Sequence, residues 1–341
     1  MIDADNLGAT SYQDSKVAVI GRNINIKADG VLDNGMQAGV EAKLSLGSTS
    51  IPAAAFASSN GFATFKQLFT YIEGDFGRVE VGGTNGAAFK MHYSSPWFVP
   101  GNGVDFPDVS NIGDGSIGVF PAMPITYSVM TTNTNKVTYF TPRLAGFQVG
   151  GSFTPDDTFH STSANGLFLR PLVPGQIHNV YEIAVNYVGT FGNVGFAADG
   201  FYTAGQSGIS GIDPTELGTG ANITYRGFTL GGAWAKAADL DCTLLGAIIP
   251  DEDRTTWTVG LSYTTGPWTV GTAYLRSKVE SPFFIGSYDG RTSSTFETGG
   301  GYNLGSGVNI GLDILIEKNK LFTGASTQTV KSVGLLLDVG F

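Results

Sequence analysis

Three histidines, His92, His160 and His178, are the chain's only imidazoles. A nucleophilic enzyme would need one of them within reach of a Ser hydroxyl or a Cys thiol. His92 and His160 fall in segments that read as loops, and His178 opens a strand. No serine pattern marks a partner for it, so no catalytic residue is assigned. The acidic groups Asp156-Asp157, Asp239 with Asp241, and Asp251-Glu252-Asp253 carry the carboxylates that a hard cation prefers. Their spacing matches no calcium motif and solvated surface acids are the plainer reading. Asp156, Asp157, Asp251 and Asp253 therefore stand only as weak candidates for a structural Ca²⁺, and no other cofactor is expected. The run Gly299-Gly300-Gly301 is followed by no helix, so it does not read as a phosphate cradle. Cys242 is the single cysteine, in a segment that reads as a loop, and no intrachain disulfide can form. One concentration of acid remains. Segment 84–134 contains Asp105, Asp108 and Asp114, with Lys90 its only base. Its prolines (Pro96, Pro100, Pro107, Pro121, Pro124) block regular pairing and stiffen an extended path. Each aspartate reads equally well as a turn residue beside Pro or Gly.

The elements that must position these groups are strands. From Met36 the apolar residues Met36, Ala38, Val40, Ala42, Leu44 and Leu46 alternate with Gln37, Gly39, Glu41, Lys43 and Ser45. A period of two puts these sets on opposite faces of a sheet. Val308, Ile310, Leu312, Ile314 and Ile316 repeat the pattern, as do Trp257, Val259, Leu261 and Tyr263. Fifteen such strands follow from Lys16 onward, joined alternately by tight turns and by long segments, at 48–62, 84–134, 155–177, 204–219, 237–253, 278–292 and 319–328. Soluble sandwiches rarely carry so many long loops at one end, whereas outer-membrane barrels do. Only 14% of the residues are charged, against about a quarter in soluble domains. No apolar run of about 18 residues is present, which argues against a helical membrane protein. A net charge of −10 argues against nucleic acid as a partner. The fold class is therefore all-β, a transmembrane antiparallel β-barrel formed by a single domain over residues 1–341. Aromatics near strand ends suit an interfacial girdle, and glycine on the polar face reads as keeping the interior open. Such barrels have even strand numbers, which implies sixteen. Residues 1–14 stand where the missing strand belongs but do not read as a good one. They also lack the basic start and apolar core of a signal peptide.

The last strand, Thr329 to Phe341, ends on an aromatic and resembles the terminal strand of Gram-negative outer-membrane barrels, in which the final Phe is an insertion signal. Phe76-Gly77-Arg78-Val79-Glu80-Val81-Gly82-Gly83 resembles the segment that general porins place before their constriction loop. Asn135-Lys136-Val137-Thr138-Tyr139-Phe140-Thr141-Pro142, continuing to Gly146-Phe147, resembles the one that follows it. The likeness is nearest to the alphaproteobacterial type. It implies a homotrimer of sixteen-stranded barrels in the outer membrane, in contact with lipid and lipopolysaccharide, each a passive channel for small hydrophilic solutes and ions. It also implies that segment 84–134 folds inward as the constriction, with Asp105, Asp108 and Asp114 facing a basic wall. The sequence departs from the family there, because Gly83 and Phe140 fall where wall arginines are frequent. Arg22, Lys27, Lys43, Arg78 and Lys136 are the remaining basic candidates, and Glu41 shares the polar face with Lys43. This balance implies modest cation preference. The alternatives are a substrate-selective porin, which a lumenal ladder of aromatics would favour, and a structural or receptor barrel with a blocked lumen. Phe140 and Phe201 read as isolated aromatics. Trimer contacts are expected from the first strands, the last strand and the apolar loop 48–62.

Overall fold

The computed structural model describes residues 2–5, 12–14, 23–45, 64–106, 124–157, 177–207, 213–244, 247–280, 291–320 and 327–340. Arg22, Asp108, Asp114, His160 and Phe341 lie outside them, as does the loop 48–62. Asp251 lies in a strand, but its side chain is outside the description.

Two short strands, β1 (Ile2–Asp5) and β2 (Tyr12–Asp14), precede the main series. The series begins with β3 (Asn23–Val31), β4 (Gln37–Ser45), β5 (Thr64–Gly74) and β6 (Gly77–Gly83). After a single-turn helix α1 (Ala87–Lys90) come β7 (Asn135–Phe140), β8 (Phe147–Asp156) and β9 (His178–Phe191). Next are β10 (Val194–Gln206), β11 (Thr215–Tyr225), β12 (Phe228–Leu244) and β13 (Ala247–Thr265). The last are β14 (Trp268–Glu280), β15 (Arg291–Gly305), β16 (Val308–Lys320) and β17 (Gln328–Val339).

From β3 to β17 each strand pairs antiparallel with the next, the fifteen strands expected. The N-terminal residues extend the sheet beyond its last strand. β1 pairs β17, with Ile2 opposite Ser332, and β2 pairs β1. The poor-looking start of the chain thus does pair as strand, because backbone hydrogen bonds need no side-chain pattern.

Segment 237–253 corrects the reading of a long loop. β12 and β13 continue as a hairpin out to Leu244 opposite Ala247, so Cys242 sits in a strand, opposite Ile249. Where a strand rises above the membrane both faces meet water, and the alternation that betrays a strand fades while its pairing persists.

The sheet is polar where it is buried and apolar where it is exposed. Thr256, Thr258 and Ser262 of β13 are buried, while Trp257, Val259, Leu261 and Tyr263 are exposed. On β17, Leu335 is 88% and Leu337 68% exposed. Exposed apolar area costs roughly 25 cal/mol per Å² in water, and such a belt far exceeds the apolar patches of soluble proteins. In hydrocarbon that cost is absent.

Aromatics bound this belt at a fixed interval. Phe147, Tyr187, Phe196, Phe228, Tyr263, Trp268 and Tyr302 lie near the short turns. Six positions away on the same strands stand Phe153, Tyr181, Tyr202, Trp234, Trp257, Tyr274 and Phe296. Six residues span about 20 Å of strand. Neighbours pack within each row, as Phe228–Tyr263 at 4.5 Å and Phe153–Tyr181 at 4.9 Å show. These are the two interfacial girdles of a membrane barrel. On β16, β17, β3 and β4 the exposed outward positions are aliphatic instead, among them Ile310, Leu312, Val333, Leu335, Ile24, Ile26 and Val40.

Candidate pore constriction

The described parts of segment 84–134 lie against the sheet's polar face and cross it strand by strand. Ala87 N donates to Ser152 Oγ of β8 at 2.7 Å and Ala88 N to Glu182 of β9 at 3.0 Å. Tyr93 N donates to Asp199 Oδ1 of β10 at 2.8 Å. Thr258 of β13 bonds Ser95 at 2.9 Å, and Val104 N donates to Glu297 of β15 at 2.8 Å. Asn102 Nδ2 donates to Asp313 of β16 at 2.5 Å. On the return path Ser128 donates to Glu216 of β11, and Thr131 donates to Glu182 at 2.5 Å. Extended backbone needs donors and acceptors wherever it is buried, and these inward side chains supply them.

Between the hydrogen bonds, glycines make the room. A methyl group at Gly260 would stand 3.1 Å from Ser95, one at Gly301 2.9 Å from Pro100, and one at Gly311 2.7 Å from Pro100. At Gly150 it would be 2.5 Å from Met91 Sδ, and at Gly220 it would overlap the Tyr93 carbonyl. The loop therefore advances across the wall on a trough of glycines. This revises the reading of inward glycine: here the space it leaves is filled by the chain itself.

Two apolar clusters fasten the loop. Ala87, Ala88 and Met91 pack with Phe140, Ala184, Phe201 and Ala235, so the two aromatics that looked isolated share one cluster. Phe98, Val99 and Val104 pack with Ala273 and Leu275 of β14. At its root, Lys136 Nζ donates to the carbonyls of Thr84, Thr131 (2.5 Å) and Thr134 (3.1 Å), tying together the two ends of the loop.

Asp105 is fully buried. Its carboxylate accepts from Ser94 Oγ, Thr126 Oγ1 and Thr126 N. Burial pushes its carboxyl above the ordinary range, and these hydrogen bonds oppose the shift. Thr126 in turn meets His92 Nε2 at 3.0 Å, and His92 Nδ1 meets Asp199 at 2.9 Å. The order acid–imidazole–hydroxyl is that of a nucleophilic relay. Thr126 is fully buried, however, so the relay's hydroxyl is sealed from any substrate and the chain of bonds pins the loop.

The other expected residues lie on the wall that the described loop leaves uncovered. Arg78 bonds Glu80 at 2.8 Å, Glu73 at 3.1 Å and Glu41 at 3.3 Å, and lies 3.7 Å from the Tyr71 ring centroid. Lys27 stands 4.0 Å from both Asp29 and Glu41, and Lys90 reaches Glu80 from the loop. Lys43 lies on the same face of β4 as Glu41, opposite Asn25 and Gln67. The structure thus joins Glu41 and Arg78 and places Asp105 apart from them.

The weak cation candidates are dispersed. Asp253 lies in β13 and pairs with Lys236 at 3.1 Å. Asp156 closes β8 opposite His178. Asp157 follows, and burial, with the Asp156 charge beside it, raises its carboxyl to about 6. Among the described residues no group of three metal-ligating side chains converges. A carboxyl raised above its unfolded value of 3.8 holds its proton longer in the fold, so its contribution to stability falls as pH rises from there to about 6. Asp157→Asn is expected to raise the heat-unfolding midpoint at pH 7.5 and leave it unchanged at pH 3, read by gel mobility after stepwise heating.

The profile of the Gram-negative porin family matches residues 3–320. The chain belongs to that family. Its porin fold is shared with Salmonella typhi OmpF in complex with daunomycin, at a TM-score of 0.63 and 11% identity over 98% of this chain and 94% of that one. An anion-selective porin from Comamonas acidovorans aligns at TM-score 0.62 and 15% identity, over 98% and 95%. A trimer form of OmpT, an outer membrane protein of Vibrio cholerae, aligns at 0.57 and 10%, over 98% and 96%. No curated protein sequence matches the chain. The porin is thus an integral outer-membrane β-barrel.

Several functional residues of this porin were not singled out from sequence: Glu182, Asp199, Glu216, Glu297 and Asp313. Each is an acid at an inward position of a strand, and that position was the available signal.

Proposed function

We propose that this porin is a passive diffusion channel for small hydrophilic solutes and ions, modestly cation-selective and assembled as a homotrimer. One observation carries the reading. The described loop lies along β8 to β16, while inward carboxylates of the uncovered wall keep contact with water, with the Glu41 side chain 34% and that of Glu73 49% exposed.

Ion pairs there join three bases, Lys27, Arg78 and Lys90, with four carboxylates, Asp29, Glu41, Glu73 and Glu80, and Lys43 stands on the same face of β4. Bases and acids sit on the same side of the lumen and largely cancel. That supports a weak transverse field, and in a chain of net charge −10 the remaining bias is a mild preference for cations. Asp105, held inside the loop, supports the loop's shape rather than the field. Changing both Glu41 and Glu73 to Gln leaves three bases and two carboxylates. The reversal potential in a KCl gradient is expected to cross zero toward the Cl⁻ equilibrium value; an unchanged potential would place the selectivity elsewhere.

The trimer is supported by the aliphatic outer faces of β16, β17, β3 and β4, where the girdle aromatics give way. Lipid and lipopolysaccharide would meet the aromatic-bounded remainder. Liposome swelling with neutral sugars of graded size tests the channel itself. Rates falling steeply with solute size support diffusion through a constriction, and no swelling with folded protein would favour a blocked barrel.

A further inference from the structure

The loop has a second face. Its wall side carries Ala87, Ala88, Met91, Phe98 and Val99, and between these the chain turns larger rings the other way. Phe89 and Tyr127 lie 5.0 Å apart between centroids, Tyr127 and Trp97 6.4 Å, and Trp97 and Phe106 4.6 Å. The four rings form one strip, successive planes tilted by 48°, 31° and 69°, so that each flat face it offers is that of a single ring. Trp97 is 44% exposed, and Phe89 and Phe106 are half-buried. Tyr127 is buried behind them, with the His92 ring edge-on at 4.8 Å, so the strip has a rigid backing. Trp97 also lies over Gly103, where a methyl group would approach its Cδ1 to 2.8 Å. On the outer surface an exposed indole has lipid or headgroups to meet. On the inner face of a porin it has neither.

We propose that this strip is a stacking subsite for the pyranose rings of neutral oligosaccharides, which makes the channel favour sugars over other solutes of equal size. The inference rests on the reading of an open lumen. Flat aromatic surface accepts the C–H face of a sugar ring, and a few polar groups beyond it fix orientation. Beside Phe89, Lys90 reaches Glu80 of the uncovered wall, and Glu80 in turn holds Arg78, itself paired with Glu41 at 3.3 Å, so donors and acceptors adjoin that end of the strip. Paired charges present donors and acceptors side by side with little net sign. A neutral polyol satisfies both, whereas a charged solute satisfies one and is repelled by the other. Planar aromatic solutes would stack as well but would leave those polar groups unused.

The test is current-noise analysis of single channels in planar bilayers, with maltotriose, acyclic sorbitol and benzyl alcohol added in turn. Maltotriose is expected to interrupt the current in a saturable way that sorbitol does not reproduce. Trp97→Ala should raise the half-blocking concentration about threefold to tenfold, the loss of one stacked ring. Phe106→Leu, which keeps apolar volume, should raise it less. Conducting channels and heat-modifiable mobility show that each variant folds, and the half-blocking concentration is compared against each variant's own open-channel current. Equal, non-saturating decreases with maltotriose and sorbitol would overturn the subsite, as would wild-type block by maltotriose in Trp97→Ala. Block by benzyl alcohol alone would overturn its assignment to sugars. Folded protein with no conductance would instead overturn the channel reading beneath it.

Discussion

Lys136→Met is expected to release the inward loop at its root while leaving the barrel folded. The ammonium is buried and donates to carbonyls of Thr84, Thr131 and Thr134, residues from both ends of the loop. Met has similar reach and no donor. Three buried carbonyls then lose a charged partner, and a single such loss costs about 1–3 kcal/mol, more when the donor is charged. Strand pairing between β6 and β7 does not depend on this side chain, so the loss falls on the loop. The expected results are cleavage within segment 84–134 by protease where the wild type resists, and single-channel steps that are larger and noisier. Lys136→Arg is expected to fall between, because a planar guanidinium cannot aim at three convergent carbonyls as an ammonium does. Wild-type protease resistance and conductance in Lys136→Met would show that the loop is held by its other contacts alone.

Gly220→Val should unseat the loop from the middle. A side chain at Gly220 would overlap the Tyr93 carbonyl, part of the backbone that Asp199 fixes through the Tyr93 N–H. Valine favours strands, so β11 itself gains, and the conflict is confined to what lies on top of it. Overpacking of this kind costs typically 1–3 kcal/mol and is relieved if the loop lifts. Gly200→Val is the control. Gly200 lies one strand away on the outward face, where a methyl would meet only the Gly218 carbonyl, at 3.9 Å. Gly220→Val is expected to change conductance and size exclusion, and Gly200→Val to change neither. Equal behaviour of the two would contradict the glycine trough.

The barrel was legible in the sequence because a sheet with lipid on one face and water on the other writes its period of two into every strand. Trp257 to Tyr263 and Val308 to Ile316 show it. The signal failed where that asymmetry ends. Residues 2–5 pair with β17 without alternating, and the hairpin around Cys242 pairs on without an apolar period of two. The loop was legible as a unit from its prolines and flanking motifs, but its internal contacts were not. Asp105 read as a pore charge because an acid beside Pro and Gly in a loop ordinarily meets solvent. Its hydroxyl partners Ser94 and Thr126 lie 11 and 21 residues away. The inward acids that receive the loop are far from their partners in sequence, Glu182 94 positions from Ala88 and Asp313 211 from Asn102. No local pattern reports such a pairing.

An open channel with a mild preference for cations has a direct electrical signature. Single-channel recording with reversal potentials across a KCl gradient tests it most directly. Conducting steps grouped in threes, with a reversal potential displaced modestly toward the K⁺ equilibrium value, are the predicted result. Folded, heat-modifiable protein that inserts and passes no current would contradict it.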